Sequence, residues 1–248
     1  MITYQGSIIY SDGFFVEPPV PHPDPYNPLN LPNNTIRLKY NDDVIPTFIH
    51  GTAVQVSQSP NVWDLTYNNR YWTDLIKGHT DLIEVLGANV PDVTDMWGLF
   101  EGCSSLESVA LFDTRRLHIS SRMFMGCSNL TTIPAFDFNN TTGLYQMFVN
   151  CTRLSSLPPL SCRNGYECKL AFYNCTSLTT MPTLYLPKIK HSDNMFNGCI
   201  NIASGITEMY NYLSARTTLT SHPQTFRNCG SNTQTGSAEL AQIPSDWK

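Results

Sequence analysis

Hydrophobic positions recur along the middle of the chain with a fixed period. Five cysteines follow one another at 24-residue intervals: Cys103, Cys127, Cys151, Cys175 and Cys199. They lie in similar phrases, which read LFEGCSSL, MFMGCSNL, MFVNCTRL, AFYNCTSL and MFNGCINI. A fixed period of this length is typical of repeat proteins, in which each unit buries its apolar face only against its neighbours. The pattern therefore predicts a solenoid.

The positions around each cysteine form columns of apolar residues, and we predict that these columns make the core. A phenylalanine stands three positions before each cysteine, and an aliphatic residue stands three positions after it. We expect the segment after each cysteine to be a short strand. Residues 93–100 and their equivalents predict a short helix or helical turn, with Thr94 or Asp95 at its start. The two best columns are Phe100, Phe124, Phe148, Phe172 and Phe196, and Leu106, Leu130, Leu154, Leu178 and Ile202.

The ends of the array are less regular than its middle. Residues 75–82 align with residues 99–106, and His79 takes the cysteine position, where we interpret it as a capping residue. After Cys199 the next related phrase comes 30 residues later, at Cys229, and the insertion at about 207–221 has the composition of a helix. Terminal repeats are often atypical in this way.

Four segments are predicted along the chain. Residues 1–34 form an extended proline-rich anchor or spacer, because the seven prolines between positions 18 and 32 exclude helix and sheet interior. An alternative is a coat of extended chain lying on the solenoid. Residues 35–74 alternate as a β-rich N-terminal cap, residues 75–232 are the repeat solenoid, and residues 233–248 are a C-terminal cap or tail. The candidate anchor residues are Ile8, Ile9, Phe14 and Phe15, which we expect to add a strand to a neighbouring protein.

Composition excludes several classes of function. Charged residues make up 14% of the chain and the net charge is -5, so a basic surface for nucleic acid is not expected. No apolar run approaches the length of about 20 residues that a membrane helix needs, so membrane insertion is not expected either. The first residues lack the features of a signal peptide, which suggests a mature chain or one not exported by that route.

No catalytic constellation or cofactor site is predicted. We call the five cysteines at 24-residue intervals the cysteine ladder. We interpret it as a structural row of buried thiols, because a linear row offers no tetrahedral metal geometry. Cys162 and Cys168 lie off the ladder, and either a local disulfide or two free thiols would fit their spacing. The six histidines are scattered, and no phosphate loop or metalloprotease motif occurs. We therefore expect no catalytic residue, no metal and no cofactor.

The surface of the repeats is the candidate binding site. Two adjacent strand positions carry mostly hydroxyl side chains in successive repeats, which suits a glycan or another protein's surface. The alternative is a solvated strand face with good β-propensity. Aromatic residues off the core columns are candidate contacts, or else they cover the edges of the repeats. The candidate binding face is Glu107, Thr131, Ser155, Thr179, Ser108, Thr132, Ser156 and Thr180, and the candidate aromatic contacts are Tyr145, Tyr166, Tyr173 and Tyr185, with Phe138 beside them.

The repeated phrase, followed by a strand and then by FDT or a similar turn, resembles the BspA-like leucine-rich repeat proteins. The resemblance covers roughly residues 75–232. It implies an α/β fold, namely a right-handed leucine-rich-repeat solenoid of short parallel strands and short helical turns, with a small N-terminal β cap. Proteins of this family are found on cell surfaces or in virions and have no catalytic centre.

The short end segments are similar to those of phage-encoded proteins of this type. The resemblance implies a non-enzymatic recognition or structural module on a phage virion, and the alternative is a bacterial cell-surface adhesin. The expected partners are a virion or host protein or a surface glycan, with attachment through the N-terminus or to a second copy of the chain. A glycan hydrolase is a third reading, and it would need a carboxylate pair across a groove.

Overall fold

The computed structural model describes residues 24–248 with their side chains, and residues 2–4, 7–9 and 15–16 as backbone strands. Those strands are β1 (Ile2–Tyr4), β2 (Ser7–Ile9) and β3 (Phe15–Val16), and they form an antiparallel three-stranded sheet. The candidate anchor residues Ile8, Ile9 and Phe15 belong to β2 and β3. Their side chains, and all of Phe14, lie outside the described residues.

A five-stranded sheet joins the N-terminal part of the chain to the first repeats. Its strands are β4 (Thr35–Tyr40), β5 (Thr52–Gln58), β6 (Asn61–Thr66), β7 (Leu82–Asn89) and β8 (Ser108–Val109), in the order β5-β6-β4-β7-β8. Ile36, Leu38 and Tyr40 alternate along β4 and are buried. Strand β7 pairs antiparallel with β4 on one side and parallel with β8 on the other. It therefore connects an antiparallel end sheet to the parallel repeats.

Successive repeats lie side by side in register. Strand β9 (Leu160–Ser161) pairs parallel with β10 (Leu184–Tyr185), and Leu160 is opposite Leu184. The N–H of Phe124 donates to the carbonyl of Met147 at 3.1 Å, and the N–H of Phe148 donates to the carbonyl of Ala171 at 2.9 Å. These bonds join equivalent positions of neighbouring repeats, so each repeat satisfies the backbone of the next. The right-handed, curved path of a solenoid stays a prediction.

Of the two alternatives predicted for each repeat, a short helix or a helical turn, the structure contains the turn. Residues 93–100 and their equivalents form hydrogen-bonded turns. The physical reason is a left-handed residue in each turn, with φ of 59° at Gly98, 60° at Arg122 and 55° at Gln146. An α-helix cannot continue through such a residue. Asp95 caps the turn, since its Oδ1 accepts the N–H of Trp97 at 2.8 Å.

Stacked phenylalanines run through the centre of the repeats. The rings of Phe124 and Phe148 lie 5.7 Å apart and nearly parallel, and those of Phe172 and Phe196 lie 5.3 Å apart. All are fully buried. The cysteine and leucine columns flank this stack and are equally buried. The core therefore runs continuously along the array.

The C-terminal segment covers the last repeat. Helix α1 (Ile206–Ser214) lies in the insertion before that repeat, and the segment itself contains helix α2 (Gln234–Gln242) and a 3-10 turn at Ser245–Trp247. The N–H of Phe226 donates to the carbonyl of Trp247 at 2.9 Å, and the Trp247 ring stacks on Phe226 at 6.1 Å. The segment thus supplies the backbone and the ring that another repeat would supply. Neither of the two α-helices in the described part of the chain is long and apolar enough to cross a membrane.

Residues 24–34 lie against the body of the protein. Leu31 is buried, and its carbonyl accepts hydrogen bonds from the side-chain amides of Asn27 and Asn89. The Arg115 guanidinium lies 4.8 Å from the centre of the Tyr26 ring. This part of the segment therefore packs on the sheet. It forms turns and not the predicted extended chain, because the N–H of Asn27 donates to the carbonyl of Asp24 at 2.9 Å and the N–H of Asn30 donates to the carbonyl of Asn27 at 3.1 Å. The boundary at residue 34 stays a prediction.

Candidate binding surface

The eight residues of the predicted binding face are all exposed. We call them the hydroxyl face. In each repeat they follow a buried leucine, and in the first two repeats they also precede a buried residue, as between Leu106 and Val109. The N–H of Ser155 donates to the carbonyl of Thr131 at 3.0 Å, which holds neighbouring repeats of the face together. The parallel stacking thus presents these side chains as two adjacent rows.

A shallow cavity of about 330 Å³ lies on the hydroxyl face. Glu107, Ser108 and Thr131 line it together with Asn129 and Arg153, which the sequence analysis missed. Asn129 and Arg153 stand 24 residues apart, one position before a core leucine, so a search of the polar columns would have found them. The cavity offers a carboxylate, a guanidinium, an amide and hydroxyls, and it therefore suits a polar partner.

The predicted aromatic contacts divide into two groups. Tyr166 and Tyr185 are exposed, with 43% and 49% of their surface accessible, whereas Tyr145 and Tyr173 are half-buried. Phe138, which the sequence analysis placed off the core columns, is fully buried beside Phe136, with ring centres 5.9 Å apart. It therefore belongs to the core, which extends here to the residue before the turn at 139–140.

A second groove brings together two of the predicted tyrosines and a tryptophan that was not predicted. Its volume is about 430 Å³. The rings of Trp97 and Tyr145 lie 6.4 Å apart and tilted, and Tyr166 forms another wall. We call it the aromatic groove. Its complete lining is Trp97, Ser121, Thr142, Tyr145, Tyr166, Glu167 and Lys169.

The ladder thiols have a hydrogen-bonding role in addition to packing. The Sγ of Cys151 donates to the carbonyl of Phe124 at 3.0 Å, and Cys127 makes the same bond to Phe100 at 3.1 Å. Burial raises the pKa of the Cys151 thiol to about 12. Because the thiolate is the nucleophile and the metal ligand, a thiol held protonated in this way is suited to neither chemistry.

Cys162 and Cys168 are free thiols in the structure, and both are buried. The Sγ of Cys162 lies 3.2 Å from the hydroxyl of Thr141. Burial raises the pKa of both thiols. Within residues 24–248 no group of three or more histidine, cysteine, aspartate or glutamate side chains is arranged to hold a metal ion.

The N-terminal sheet carries two further features. The hydroxyl of Tyr40 lies 2.6 Å from Nδ1 of His79, and burial lowers the pKa of this histidine. Ile45 and Ile49 in the loop before β5 are 82% and 83% exposed, and Val54 on the edge strand β5 is 56% exposed. Sequence patterns could not show that Val54 belongs to an edge strand, since the order of the strands is a property of the assembled sheet.

Part of the repeat region is similar to a known protein family. Residues 75–185 match the model of a family described as Mycoplasma protein of unknown function, DUF285. No curated protein matches the chain. A leucine-rich repeat protein of T. pallidum with a crystal structure is 19% identical, with 68% of this chain and 74% of that chain covered and a TM-score of 0.45. The family match covers four of the five cysteine-bearing phrases, and it supports a BspA-like leucine-rich repeat family for this region.

Proposed function

We propose that the protein is a non-enzymatic surface module that binds another protein through the hydroxyl face. The observation that carries the proposal is the exposure of all eight predicted side chains in two adjacent rows. Repeat arrays use such extended surfaces for binding, because each repeat adds contacts of the same kind. A partner protein can span several repeats of this flat face.

The charges on this face favour a specific orientation of the partner. Glu107 and Arg153 line the same shallow cavity and carry opposite charges, while the other side chains of the face are neutral. Charged groups at an interface fix register and partner choice more than they add affinity. The hydroxyl groups between them can donate and accept hydrogen bonds, so the face is adaptable to a polar surface.

The chemistry of the thiols supports a role without catalysis. A nucleophilic cysteine needs a lowered pKa, whereas burial raises the pKa of Cys103 and Cys199 to about 12. A glycan hydrolase would need two carboxylates facing each other across a groove. The aromatic groove has one carboxylate, that of Glu167, in its lining.

A cross-linking experiment tests the binding face. A photoreactive amino acid is placed at Thr132, at Ser156, or at the control position Thr235, which is exposed on α2. We expect a protein adduct from positions 132 and 156 and none from 235 when the protein is irradiated in its native setting. Thr132→Arg should weaken binding of the identified partner by at least about tenfold, and Thr235→Arg should leave it unchanged. Equal adducts at all three positions would reject the hydroxyl face.

The setting of the module is the second part of the proposal. It acts on a phage particle or, alternatively, on the surface of a bacterial cell, and the family match is compatible with the cell-surface alternative. Antibody labelling of intact cells and mass spectrometry of purified particles distinguish the two. Detection in particles alone supports the virion role, and labelling of cells that carry no phage supports the adhesin.

A further inference from the structure

We propose that the aromatic groove is a binding site for a neutral oligosaccharide. This site is separate from the hydroxyl face, with which it shares no lining residue. The proposal adds a ligand class to the protein partner and does not depend on that partner. The volume of the aromatic groove, about 430 Å³, falls within the range of small-molecule sites, about 300–1,000 Å³.

The repeat itself builds the groove. Trp97, Ser121 and Tyr145 occupy the same position of three successive repeats, at intervals of 24 residues. Serine is much smaller than its two neighbours in this column and therefore leaves a gap. The centres of the Trp97 and Tyr145 rings lie 6.4 Å apart across this gap. Tyr166 comes from the neighbouring column, where it follows Thr142 by 24 residues. The result is a set of aromatic walls above a hydroxyl.

The hydroxyl groups of the groove make no hydrogen bond within the described protein, whereas Glu167 Oε1 accepts the N–H of Lys169 at 3.3 Å. Ser121 is 6% exposed, yet its hydroxyl makes no hydrogen bond within residues 24–248. The hydroxyls of Thr142, Tyr145 and Tyr166 also make none there. The serine hydroxyl lines the groove and is therefore available to donate to and accept from a molecule that lies there.

A sugar ring has the chemistry that this groove complements. One face of the ring presents C–H groups, which pack on the faces of aromatic rings, while its rim presents hydroxyls. The serine, threonine and tyrosine hydroxyls, the Glu167 carboxylate and the Lys169 ammonium can bond that rim. Glu167 and Lys169 carry opposite charges, so the lining as a whole favours a neutral ligand. Two nearby cations already have partners. Arg122 is paired with Glu101 at 3.5 Å, and Nζ of Lys190 lies 5.8 Å from the centre of the Tyr166 ring.

Titration of the full chain with cellohexaose, chitohexaose and maltohexaose tests the proposal. We expect at least one of them to bind with a Kd of about 1 mM or tighter in calorimetry, and to change the tryptophan fluorescence through Trp97. Tyr145→Ala and Tyr166→Ala should each weaken binding by at least about tenfold. Ser121→Leu should abolish it, because the larger side chain fills the gap between the rings.

Two controls keep the experiment decisive. Tyr185→Ala removes a tyrosine that is equally exposed but lies outside the groove, and it should bind as the wild type does. Circular dichroism establishes that each variant is folded. If Tyr145→Ala fails to fold, Tyr166→Ala decides the matter, because Tyr166 is 43% exposed. Binding of none of the three hexasaccharides, or wild-type binding by Tyr166→Ala and Ser121→Leu, would overturn the proposal.

Discussion

At the scale of single residues, the position before each cysteine has a backbone conformation that explains its composition. This residue is Gly102, Gly126, Asn150, Asn174 or Gly198, and its φ is 76°, 76°, 59°, 58° or 80°. Glycine adopts this left-handed region freely, and asparagine tolerates it better than most residues. The occurrence of only glycine and asparagine at this position therefore follows from the backbone geometry.

Substitution of Asn150 tests this reading. We expect Asn150→Val to lower the free energy of unfolding by about 1–2 kcal/mol, because a β-branched residue is strained at positive φ. Asn150→Gly is the matched control. Both variants lose the bond that Asn150 Oδ1 accepts from Asn174 Nδ2 at 3.1 Å, so their difference isolates the backbone term. Urea denaturation measures both, and equal stability of the two would contradict the left-handed assignment.

The hydrogen bond that the Cys151 thiol donates can be tested by substitution. The Phe124 carbonyl accepts the N–H of Cys127 at 3.1 Å as well as the thiol of Cys151 at 3.0 Å. Loss of the second bond in Cys151→Ala should cost about 0.5–1.5 kcal/mol, in addition to the loss of packing. Cys151→Ser keeps a donor at that place and should be no less stable than Cys151→Ala. A serine variant less stable than the alanine variant would mean that the hydroxyl has no partner.

Thiol reagents should label the cysteines of the ladder only after the protein has been unfolded.

At the scale of the element, the phenylalanine stack contributes more to stability than the exposed rows. Phe148 stacks on Phe124 and on Phe172, at 5.7 and 5.4 Å between ring centres. Phe148→Ala should lower the free energy of unfolding by about 3–5 kcal/mol, as for other large-to-small core changes. Glu107→Ala, in an exposed row, should stay within about 0.5 kcal/mol of the wild type. Thermal and urea denaturation measure both, and similar losses would mean that the columns have been assigned out of phase.

The junction between the end sheet and the repeats should respond to pH. Burial holds the pKa of His79 below its ordinary 6.5, and Asp81 opposes this shift in part. The unfolded chain therefore binds a proton at His79 more readily than the folded protein. This contribution to stability is complete above about pH 6.5 and is lost as the pH falls below that value. Unfolding at about pH 7.5 and about pH 5.5 should show a loss in the wild type that is smaller in His79→Gln.

At the scale of the whole molecule, the two ends of the array are closed by segments that are not repeats. Trp247 supplies the final ring and the final carbonyl, while the antiparallel sheet closes the other end through β7. Without a capping segment, each end of a repeat array would expose the apolar core to water. Residues 24–34 extend the cover over the sheet, which makes this part of the proline-rich segment a contributor to stability.

Leu31 tests the contribution of the proline-rich segment. It is 4% exposed, whereas Leu29 in the same segment is 40% exposed. We expect Leu31→Ala to lower the free energy of unfolding by about 2–5 kcal/mol and Leu29→Ala to cost clearly less. Equal and small losses for the two variants would show that the segment does not contribute to the stability of the body.

The sequence by itself determined the period, the phase of the repeats and the sides on which residues lie. A 24-residue repeat places phenylalanine, cysteine and leucine in columns, and each of these columns is buried in the structure because equivalent residues must stack. It also located the exposed positions of the hydroxyl face, since those positions follow a buried leucine in each repeat. Local pattern was sufficient there, because the neighbour of each repeat is another copy of itself.

Only the tertiary structure decided the features that depend on contacts between different columns or different segments. The choice between a short helix and a helical turn was one of them, because left-handed residues such as Leu170, with φ of 57°, cannot be recognised in the side-chain pattern. The aromatic groove required Tyr166 of one column to lie beside Trp97 and Tyr145 of another. Residues 24–34 were placed on the sheet by bonds from Asn89, far away in sequence. Hydrophobic periodicity reports which side of an element is buried, but only the assembled repeats show which columns meet.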